Sequence, residues 1–333
     1  MRKNYIILIL VLILAAVAVW VVTTNNRSTI KRELRDFAIA DTASIDKIFM
    51  VKKTNEQVTL TREEKGWVVN QKYPVRQDAI DLILKTLKRV QVKNPVSQSS
   101  MDNVIKMLAT RNTKVEIYSK GKLLKTIYVG GPTQDQLGTF MMLEGSSVPF
   151  IVAIPGFAGY LSSRFFTDEK SWRSPVIFDY EFDEIAKIKS INNRFPDQSF
   201  IVTKEGQMFD IKTINGNMQA PVIDTLALRY FISNFEKVSS EFFADDMDPY
   251  LRDSLSNATA FRVLELTDIY GNTRTIEAHE RRAEGLTDEE GNPLEWDNVR
   301  MYALLDGETW VVIQYYVFDP LFRDFDYFFP IER

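Results

Sequence analysis

The chain lacks most of the side chains that enzymes use for nucleophilic or metal chemistry. Its 333 residues include no cysteine and one histidine, His279. Without cysteine there is no disulfide, thiolate metal site, iron–sulfur cluster or cysteine nucleophile. A serine–histidine triad would depend on His279, which no Gly-x-Ser-x-Gly motif accompanies. We therefore predict no catalytic residue, and we interpret this histidine, which precedes three charged residues, as a surface side chain.

The glycine pair Gly130-Gly131, followed by Pro132 and Thr133, is a possible anion-binding loop. Successive backbone amides in such a segment can form a nest for phosphate. A phosphate loop also needs a lysine and a following helix N-terminus, and neither is evident here. The pattern favours a turn after the strand that ends near Val129. We predict no cofactor, and the absence of a Walker A loop shows that the chain is not itself an ATPase.

Two acidic runs contain the residue types of a calcium site. The first, Asp245 to Asp248, leads directly into a Pro-Tyr pair rather than further ligands. In the second, Asp288, Glu290 and Asn292 have ligand spacing, but Pro293 stands where an EF-hand loop requires glycine. We interpret both runs as solvated loops with helix-capping acids, and we predict no metal site. Paired carboxylates for glycoside hydrolysis stay open, because sequence spacing does not fix their separation in space.

The densest aromatic segment is the end of the chain, where rings recur more often than one helix face can bury. Most of them are expected in a core, because aromatic side chains bury large areas. We predict that the remainder packs the two halves of the chain together or docks a partner protein. The residues predicted to bind a partner are Phe318, Phe322, Phe325, Tyr327, Phe328 and Phe329.

The overall charge excludes one class of partner. The chain carries 41 basic and 45 acidic side chains, for a net charge of −4, and its pI is near 5.4. Proteins that bind nucleic acid need clustered positive charge to displace counterions from phosphates. We therefore predict no nucleic-acid partner. Basic side chains concentrate around the first predicted helix, whereas the acidic excess lies later in the chain.

The first element with a clear sequence signal is the apolar run from Tyr5 to Val22, preceded by Arg2 and Lys3. At ~1.5 Å per residue it would cover about 27 Å, which is close to the hydrocarbon thickness of a bilayer. A cleaved signal peptide would have a shorter apolar core with a small-x-small site after it. The one such triplet, Ala16-Val17-Ala18, lies inside the run, so the pattern favours an uncleaved anchor.

We predict that residues 1–26 form a transmembrane signal anchor in the inner (cytoplasmic) membrane, contacting lipid through residues 5–22. A short N-terminal tail before a first apolar segment favours an orientation with the N-terminus inside. The remainder of the chain would then lie on the periplasmic side, beginning with a charged stalk at residues 27–44. No later apolar stretch is long enough to cross a bilayer again.

An internal repeat organises the rest of the sequence. The stretch Ile45 to Met50 resembles Ile185 to Ser190, and each is followed by two more alternating strand patterns. A helical stripe comes next in both halves. Its first copy is Ile80, Ile83, Leu84, Leu87 and Val90, and its second, 148 residues later, is Leu228, Phe231, Ile232, Phe235 and Val238.

Four further strands follow the helix in each half, beginning with a hairpin whose first copy turns at Lys120-Gly121. Each copy closes on an aromatic segment predicted to be helical, Gly159 to Phe166 and Leu321 to Phe329. The predicted fold class is α+β: a transmembrane helix followed by two antiparallel-sheet-plus-helix domains. Their predicted bounds are 45–170 and 171–333.

Several segments carry a family resemblance. They are Lys31 to Asp41, Gly66 to Asn70, Asn94 to Ser97, Tyr128 to Thr133, Gly138 to Phe140 and Pro149 to Leu161. Together they resemble the bacterial domain of unknown function numbered 4340, in its membrane-anchored, gliding-bacterium (Bacteroidetes-type) branch. The resemblance covers roughly residues 28–240 well and the last ninety residues less clearly.

The resemblance implies no catalytic residue. Related domains occur in auxiliary subunits of ABC-type exporters, including components linked to gliding motility, so it implies an accessory role in the envelope. We predict a non-enzymatic binding or scaffolding subunit of an envelope assembly, with protein partners and accessory to a transporter or motility machine. The alternative is an envelope hydrolase that acts on cell-wall or surface carbohydrate through paired carboxylates.

Overall fold

The computed structural model describes residues 12–20, 35–214, 222–288 and 290–330. Residues 12–20 are helical, whereas residues 5–11 and 21–22 of the predicted anchor lie outside the described residues. Within the part of the chain that is described, no helix combines the length and apolar character needed to cross a membrane. The chain divides into two compact units, Met1–Ser174 and Pro175–Arg333, which we call unit 1 and unit 2. The predicted boundary at 170/171 lies slightly earlier.

Between residues 35 and 174, unit 1 is described as one antiparallel sheet and two α-helices. Its strands are β1 (Ile45–Lys52), β2 (Gln57–Glu63), β3 (Gly66–Val69), β4 (Tyr73–Pro74), β5 (Gln91–Pro95), β6 (Thr113–Ser119), β7 (Lys122–Pro132), β8 (Thr139–Leu143) and β9 (Phe150–Ala153). Its helices are α1 (Gln77–Arg89) and α2 (Met101–Thr110). The strands follow the spatial order β4-β3-β2-β1-β6-β7-β8-β9-β5.

The alternation of side chains along the strands separates two apolar clusters on opposite faces of this sheet. In β8, Met141 and Leu143 belong to the large core that α1 covers with Ile80 and Ile83. Phe140 and Met142, which alternate with them, belong to a smaller cluster around α2. The two helices therefore pack on opposite faces. The predicted hairpin turn is formed by Lys120 and Gly121, both with positive φ (51° and 71°), as a two-residue turn requires.

Unit 2 is built in the same way. Its strands are β10 (Val176–Phe178), β11 (Ile185–Asn192), β12 (Phe200–Glu205), β13 (Met208–Thr213), β14 (Val238–Ser239), β15 (Phe242–Phe243), β16 (Arg262–Asp268), β17 (Thr273–Arg282), β18 (Trp296–Leu305) and β19 (Thr309–Gln314). Its helices are α3 (Thr225–Ser233), α4 (Pro249–Asn257) and the single turn α5 (Tyr315–Phe318). The main sheet has the order β13-β12-β11-β16-β17-β18-β19-β15, and β10 pairs with β14.

The two main sheets share one topology once β4 is set aside. β3-β2-β1-β6-β7-β8-β9-β5 in unit 1 corresponds strand for strand to the eight strands of unit 2. The correspondence extends to an irregularity, because the pairing register shifts between Ile45 and Lys47 in β1 and between Ile185 and Lys187 in β11. A shared bulge at equivalent positions is a feature that a duplicated fold retains. The mixed α+β class with mainly antiparallel sheets is confirmed.

Several predicted elements differ from the observed ones. The predicted second helical stripe runs to Val238, but α3 ends at Ser233 and Val238 lies in β14. The aromatic tails are not long helices: Gly159 to Phe166 contains only the 3₁₀ turn Ser162–Arg164. In the second tail, Leu321 to Phe329, only Phe325–Phe328 forms a turn. The spacing of apolar residues does not predict where these helices end, because buried aromatic side chains also lie on segments with irregular backbone.

The sequence analysis does not predict one observed helix in each unit, which is α2 in unit 1 and α4 in unit 2. In α2 only Val104 and Leu108 are buried, and no helical residue of α4 is. Such short helices with few buried positions give little periodic signal. Each nevertheless covers apolar side chains on its sheet, as Leu255 of α4 does beside Trp310.

Candidate functional site

A groove along strand β5 is a concave surface of unit 1. It consists of two adjacent recesses of about 470 Å³ and about 440 Å³, and Lys93 lines both. The first recess lies between β5, Leu137 and the loop Ile154–Ala158. The second lies between Asn94, the start of the loop Thr133–Gly138, and the side chains Phe140 and Ile151. We call this surface the β5 groove.

One wall of the β5 groove is a tight turn held by two arginines. The amide of Phe157 donates to the carbonyl of Ile154 at 3.0 Å, and the intervening Gly156 has φ 80°. This Pro-Gly pair is typical of a type II turn. Arg89 Nη2 donates to the Pro155 carbonyl at 3.4 Å, and the Arg164 guanidinium lies 4.3 Å from the centroid of the Phe157 ring. The ring is thus fixed while remaining 40% exposed.

The opposite wall is the loop Thr133–Gly138, which closes on itself. The Thr133 amide donates to the Gly138 carbonyl at 2.9 Å. The Asp135 carboxylate accepts from the Thr133 hydroxyl at 2.5 Å and from the Leu137 amide at 3.1 Å, and these bonds lower the pKa of Asp135. This loop presents Leu137 with 43% of its surface exposed. Both walls are therefore fixed by short-range bonds that leave an apolar side chain at the rim.

The electrostatics of the β5 groove are positive. Among the described residues lining the first recess, Lys93 carries the only charge. Its ammonium group makes one long hydrogen bond, 3.5 Å to the Leu137 carbonyl. Lys85, Lys88 and Arg89 are exposed at the C-terminal end of α1, directly before β5. An anionic group entering the first recess would meet a cation and no carboxylate.

Strand β5 is the last strand of its sheet, so one of its edges pairs with no strand among the described residues. The pairing of β5 with β9 shifts register between Val92 and Asn94, which places Lys93 at a bulge. Pro95 ends the strand. A bulge and a proline on an edge strand restrict the pairing of long segments, and they leave room for a short one.

Unit 2 carries different chemistry at the equivalent edge. By the same offset of 148 that relates α1 to α3, Glu241 is equivalent to Lys93 and Phe242 is equivalent to Asn94. The Glu241 carboxylate accepts two bonds of 2.7 Å from the Arg300 guanidinium, and this pairing lowers the pKa of Glu241. An exposed cation at the edge of unit 1 thus corresponds to an ion-paired anion in unit 2.

The glycine pair lies inside β7 rather than in a turn after it, which corrects the sequence interpretation. A Cβ atom on Gly130 would lie 2.7 Å from Leu108 Cδ2 and 3.0 Å from the Phe140 carbonyl oxygen. Glycine is required here because α2 packs closely against the strand. No anion-binding role is needed to account for the pair.

The two acidic runs act as caps. Asp248 accepts from the amides of Tyr250 and Leu251 at the start of α4. Asp288 accepts from the amides of Glu290 and Asn292 within a turn, and these contacts with Asn292 lower its pKa. Throughout the described ranges, no three His, Asp or Glu side chains lie close enough together to hold a metal ion.

His279 is buried, contrary to the expectation of a surface side chain. It is 4% exposed and its ring centroid lies 5.4 Å from that of Trp310. Burial lowers the pKa of its imidazole. It was missed because its charged sequence neighbours suggested a solvated segment, whereas alternation along β17 turns the histidine toward the cluster beside α4.

The six residues predicted to bind a partner lie in or against the core of unit 2. Phe318, Phe325 and Phe328 are at most 1% exposed and Phe322 is 8% exposed. The other two, Tyr327 and Phe329, are partly buried and pack on the same cluster. Phe328 packs edge-to-face with Phe200 and Phe231 in this core, and the latter two contact each other in the same way. Four of the six rings are therefore core side chains, and Tyr327 and Phe329 are partly exposed.

Carboxyl groups of the described residues give the hydrolase alternative no support. A general acid in such chemistry needs a raised pKa beside a second carboxylate. Among the described carboxyl groups whose pKa is shifted, only that of Asp319 is raised, by burial. The charged groups that act on it are Arg323 and Arg262, which oppose this shift. Its charged environment is therefore cationic.

Sequence reasoning identified parts of the β5 groove without joining them. The sequence analysis indicates the basic residues around α1, and it includes Pro155-Gly156 only within a segment that carries the family resemblance. The groove forms only when Lys93, Leu137 and Phe157 meet, and their separation along the chain carries no periodic pattern.

Comparisons with known proteins place the chain in a family without defining a function. The family model described as Domain of unknown function (DUF4340) matches residues 67–254, which is more than half of the chain. The match spans the β5 groove and α3. No curated protein and no solved structure matches the chain.

Proposed function

The chain belongs to the DUF4340 family, whose description names no activity, and we propose that it is a binding or scaffolding subunit whose contact surface is the β5 groove. The observation that carries this proposal is the groove itself: two recesses joined at Lys93, with Leu137 and Phe157 exposed at the rims. Exposed apolar groups beside a cation in a concave surface are typical of sites that recognise another molecule.

The hydrogen bonds that fix the two walls favour a preformed binding surface over flexible loops. Asp135 fixes one wall through the Leu137 amide, and Arg89 contacts the other at Pro155. Preorganised side chains lose less conformational entropy when a partner docks. Unit 2, in this proposal, serves as a scaffold with an acidic surface rather than as a second copy of the same site.

The N-terminal apolar run extends the proposal to a location. Tyr5 to Val22 would anchor the chain in the inner membrane, N-terminus inside, with both units on the periplasmic side. The resemblance to the gliding-bacterium branch supports an accessory role beside a transporter or motility machine, by association alone. Extraction of the full chain from membranes by carbonate at high pH would contradict the anchor.

The test of the binding role is quantitative co-purification of the full-length, detergent-solubilised chain from its native membranes. We expect a protein partner in near-stoichiometric amount, retained through size-exclusion chromatography. A chain that elutes without a partner after mild crosslinking in intact cells would overturn the proposal. The control variant is Leu123→Ser, which removes an exposed leucine at the far end of β7 and should retain the partner.

A further inference from the structure

The two units differ sharply in charge, and the β5 groove lies in the basic one. Residues 35–174 contain 21 Lys and Arg against 14 Asp and Glu, whereas residues 175–333 contain 15 against 30. Unit 1 is therefore positive and unit 2 is strongly negative. The division of opposite charge between two copies of one fold indicates that they meet different surroundings.

Around the groove the positive charge is local as well as global. Arg164 donates to the Thr86 hydroxyl at 2.8 Å and lies over Phe157, so its guanidinium stands beside the rim of the first recess. Arg89 reaches the same wall, and Lys93 lies between the two recesses. Among the described residues lining the second recess, Asp135 supplies one negative charge, which interacts with Lys93. The cations Lys93, Arg89 and Arg164 at the first recess and its wall outnumber it. Charge complementarity therefore selects an anionic occupant.

The shape of the groove selects an extended occupant with apolar side chains. The recesses follow β5 in order, the first beside Gln91 and Val92 and the second beside Asn94, with Lys93 shared. Alternate side chains of an extended strand are about 6.6 Å apart on one face. An extended peptide lying over β5 and the neighbouring β9 would place alternate side chains in the two recesses.

From these observations we infer that the β5 groove binds a short, extended, acidic peptide segment of a partner protein. Apolar side chains of the segment occupy the two recesses, against Phe157 on one side and Phe140 on the other. A carboxylate of the segment contacts Lys93. This inference rests on the proposed function and names the chemistry of the partner.

The experiment uses the full-length chain in detergent and a fluorescein-labelled peptide in which leucine alternates with glutamate, titrated by fluorescence anisotropy. Lys93→Glu should weaken binding by about tenfold, because it replaces attraction by repulsion at the position that both recesses share. Leu137→Ser should weaken it by about threefold to tenfold through lost apolar contact. Binding should also weaken as salt is raised.

Matched controls separate the groove from the general positive charge of unit 1. Lys122→Glu makes the same charge change in the hairpin at the other end of β7, where the side chain is exposed, and it should leave binding within about twofold. Leu123→Ser is the control for Leu137→Ser. Two probes test the chemistry: one with lysine for each glutamate and one with serine for each leucine. Neither should bind measurably.

The outcomes distinguish this inference from the broader proposal. Equal loss with Lys122→Glu and Lys93→Glu would show diffuse electrostatic attraction and overturn the inference. Equal binding of the serine-containing probe would do the same. Binding of vesicles containing anionic lipid that the leucine–glutamate peptide does not displace would assign the groove to a membrane surface instead. A partner that co-purifies with both the wild-type chain and Lys93→Glu would leave the binding role intact and exclude the groove as its site.

Discussion

The substitution Gly130→Ala tests whether the close packing of α2 on β7 explains the glycine pair. The new Cβ atom would lie 2.7 Å from Leu108 Cδ2, 3.0 Å from the Phe140 carbonyl oxygen and 3.1 Å from Met107 Cε. Leu108 is 2% exposed, so its side chain cannot move into solvent. The carbonyl oxygen belongs to the backbone of β8 and is held by the sheet. The strain therefore cannot be relieved by one flexible side chain.

We expect Gly130→Ala to destabilise unit 1 by about 1–3 kcal/mol, the usual cost of overpacking a core. For a unit of this size that corresponds to a fall in Tm of about 3–10 °C. The neighbouring Gly131→Ala is the matched control, because its Cβ would lie 3.6 Å from Met107 Sδ, an ordinary contact. It should change stability by less than about 1 kcal/mol, and in the stabilising direction if it restricts the unfolded chain.

The assay must separate the two units, because a chain with two cores need not unfold in one step. Hydrogen exchange measured by mass spectrometry does so, since peptides from α2 and β7 report on unit 1 and peptides from β16 and β17 report on unit 2. Gly130→Ala should accelerate exchange in the first set and leave the second unchanged. Unchanged protection in Gly130→Ala, or equal loss in Gly131→Ala, would refute the packing argument.

Four further predictions concern unit 2 and the groove. Because burial lowers the pKa of His279, the unfolded chain takes up its proton first as pH falls through about 6.5. The stability that the neutral imidazole retains above that pH should be lost below it, and His279→Gln should flatten the slope of unfolding free energy between about pH 7.5 and 5.5. Asp297→Ala should cost about 2–4 kcal/mol by urea unfolding, because the buried carboxylate accepts from Arg281 and from the amides of Val299 and Arg300. Glu241→Gln should cost less than about 1 kcal/mol by the same measurement, since its ion pair is partly exposed. Gly138→Ala should weaken binding of the leucine–glutamate peptide, because a Cβ there would lie 2.5 Å from Ile151 Cγ2 and displace the groove wall.

Alternation and helical periodicity predicted the main elements of each sheet. Ile45, Ile48 and Met50 of β1 are fully buried, and the stripe beginning at Ile80 does face the core. The repeat was visible for the same reason, because both copies bury the same positions of the same elements. Local pattern is informative where a long element has one continuous buried face.

The parts that were missed lack such a face. β5 has one half-buried residue, Val92, among four exposed ones, so its sequence does not resemble a strand. Its place at the sheet edge comes from pairing with β9, a contact between distant residues. The end of α3 was misplaced because Phe235 and Val238 stay buried after the helix has ended at Ser233. Side chains therefore remain buried beyond the residue at which the hydrogen bonds of the helix end.

The groove required tertiary structure for a further reason. Its walls are loops, and each is fixed by side chain–backbone bonds such as those of Asp135. Such bonds depend on one residue pair rather than on a repeating pattern. The aromatic end of the chain shows the converse, because a strong compositional signal suggested a docking surface and the rings fill the core of unit 2.

The measurement that tests the central claim most directly is a hydrogen-exchange footprint of the full-length chain with and without the partner that co-purifies with it. Binding in the β5 groove predicts slower exchange of the amides in β5 and in the loop Ile154–Ala158, with unit 2 unchanged. Protection confined to unit 2, or none in β5 at partner saturation, would contradict the account.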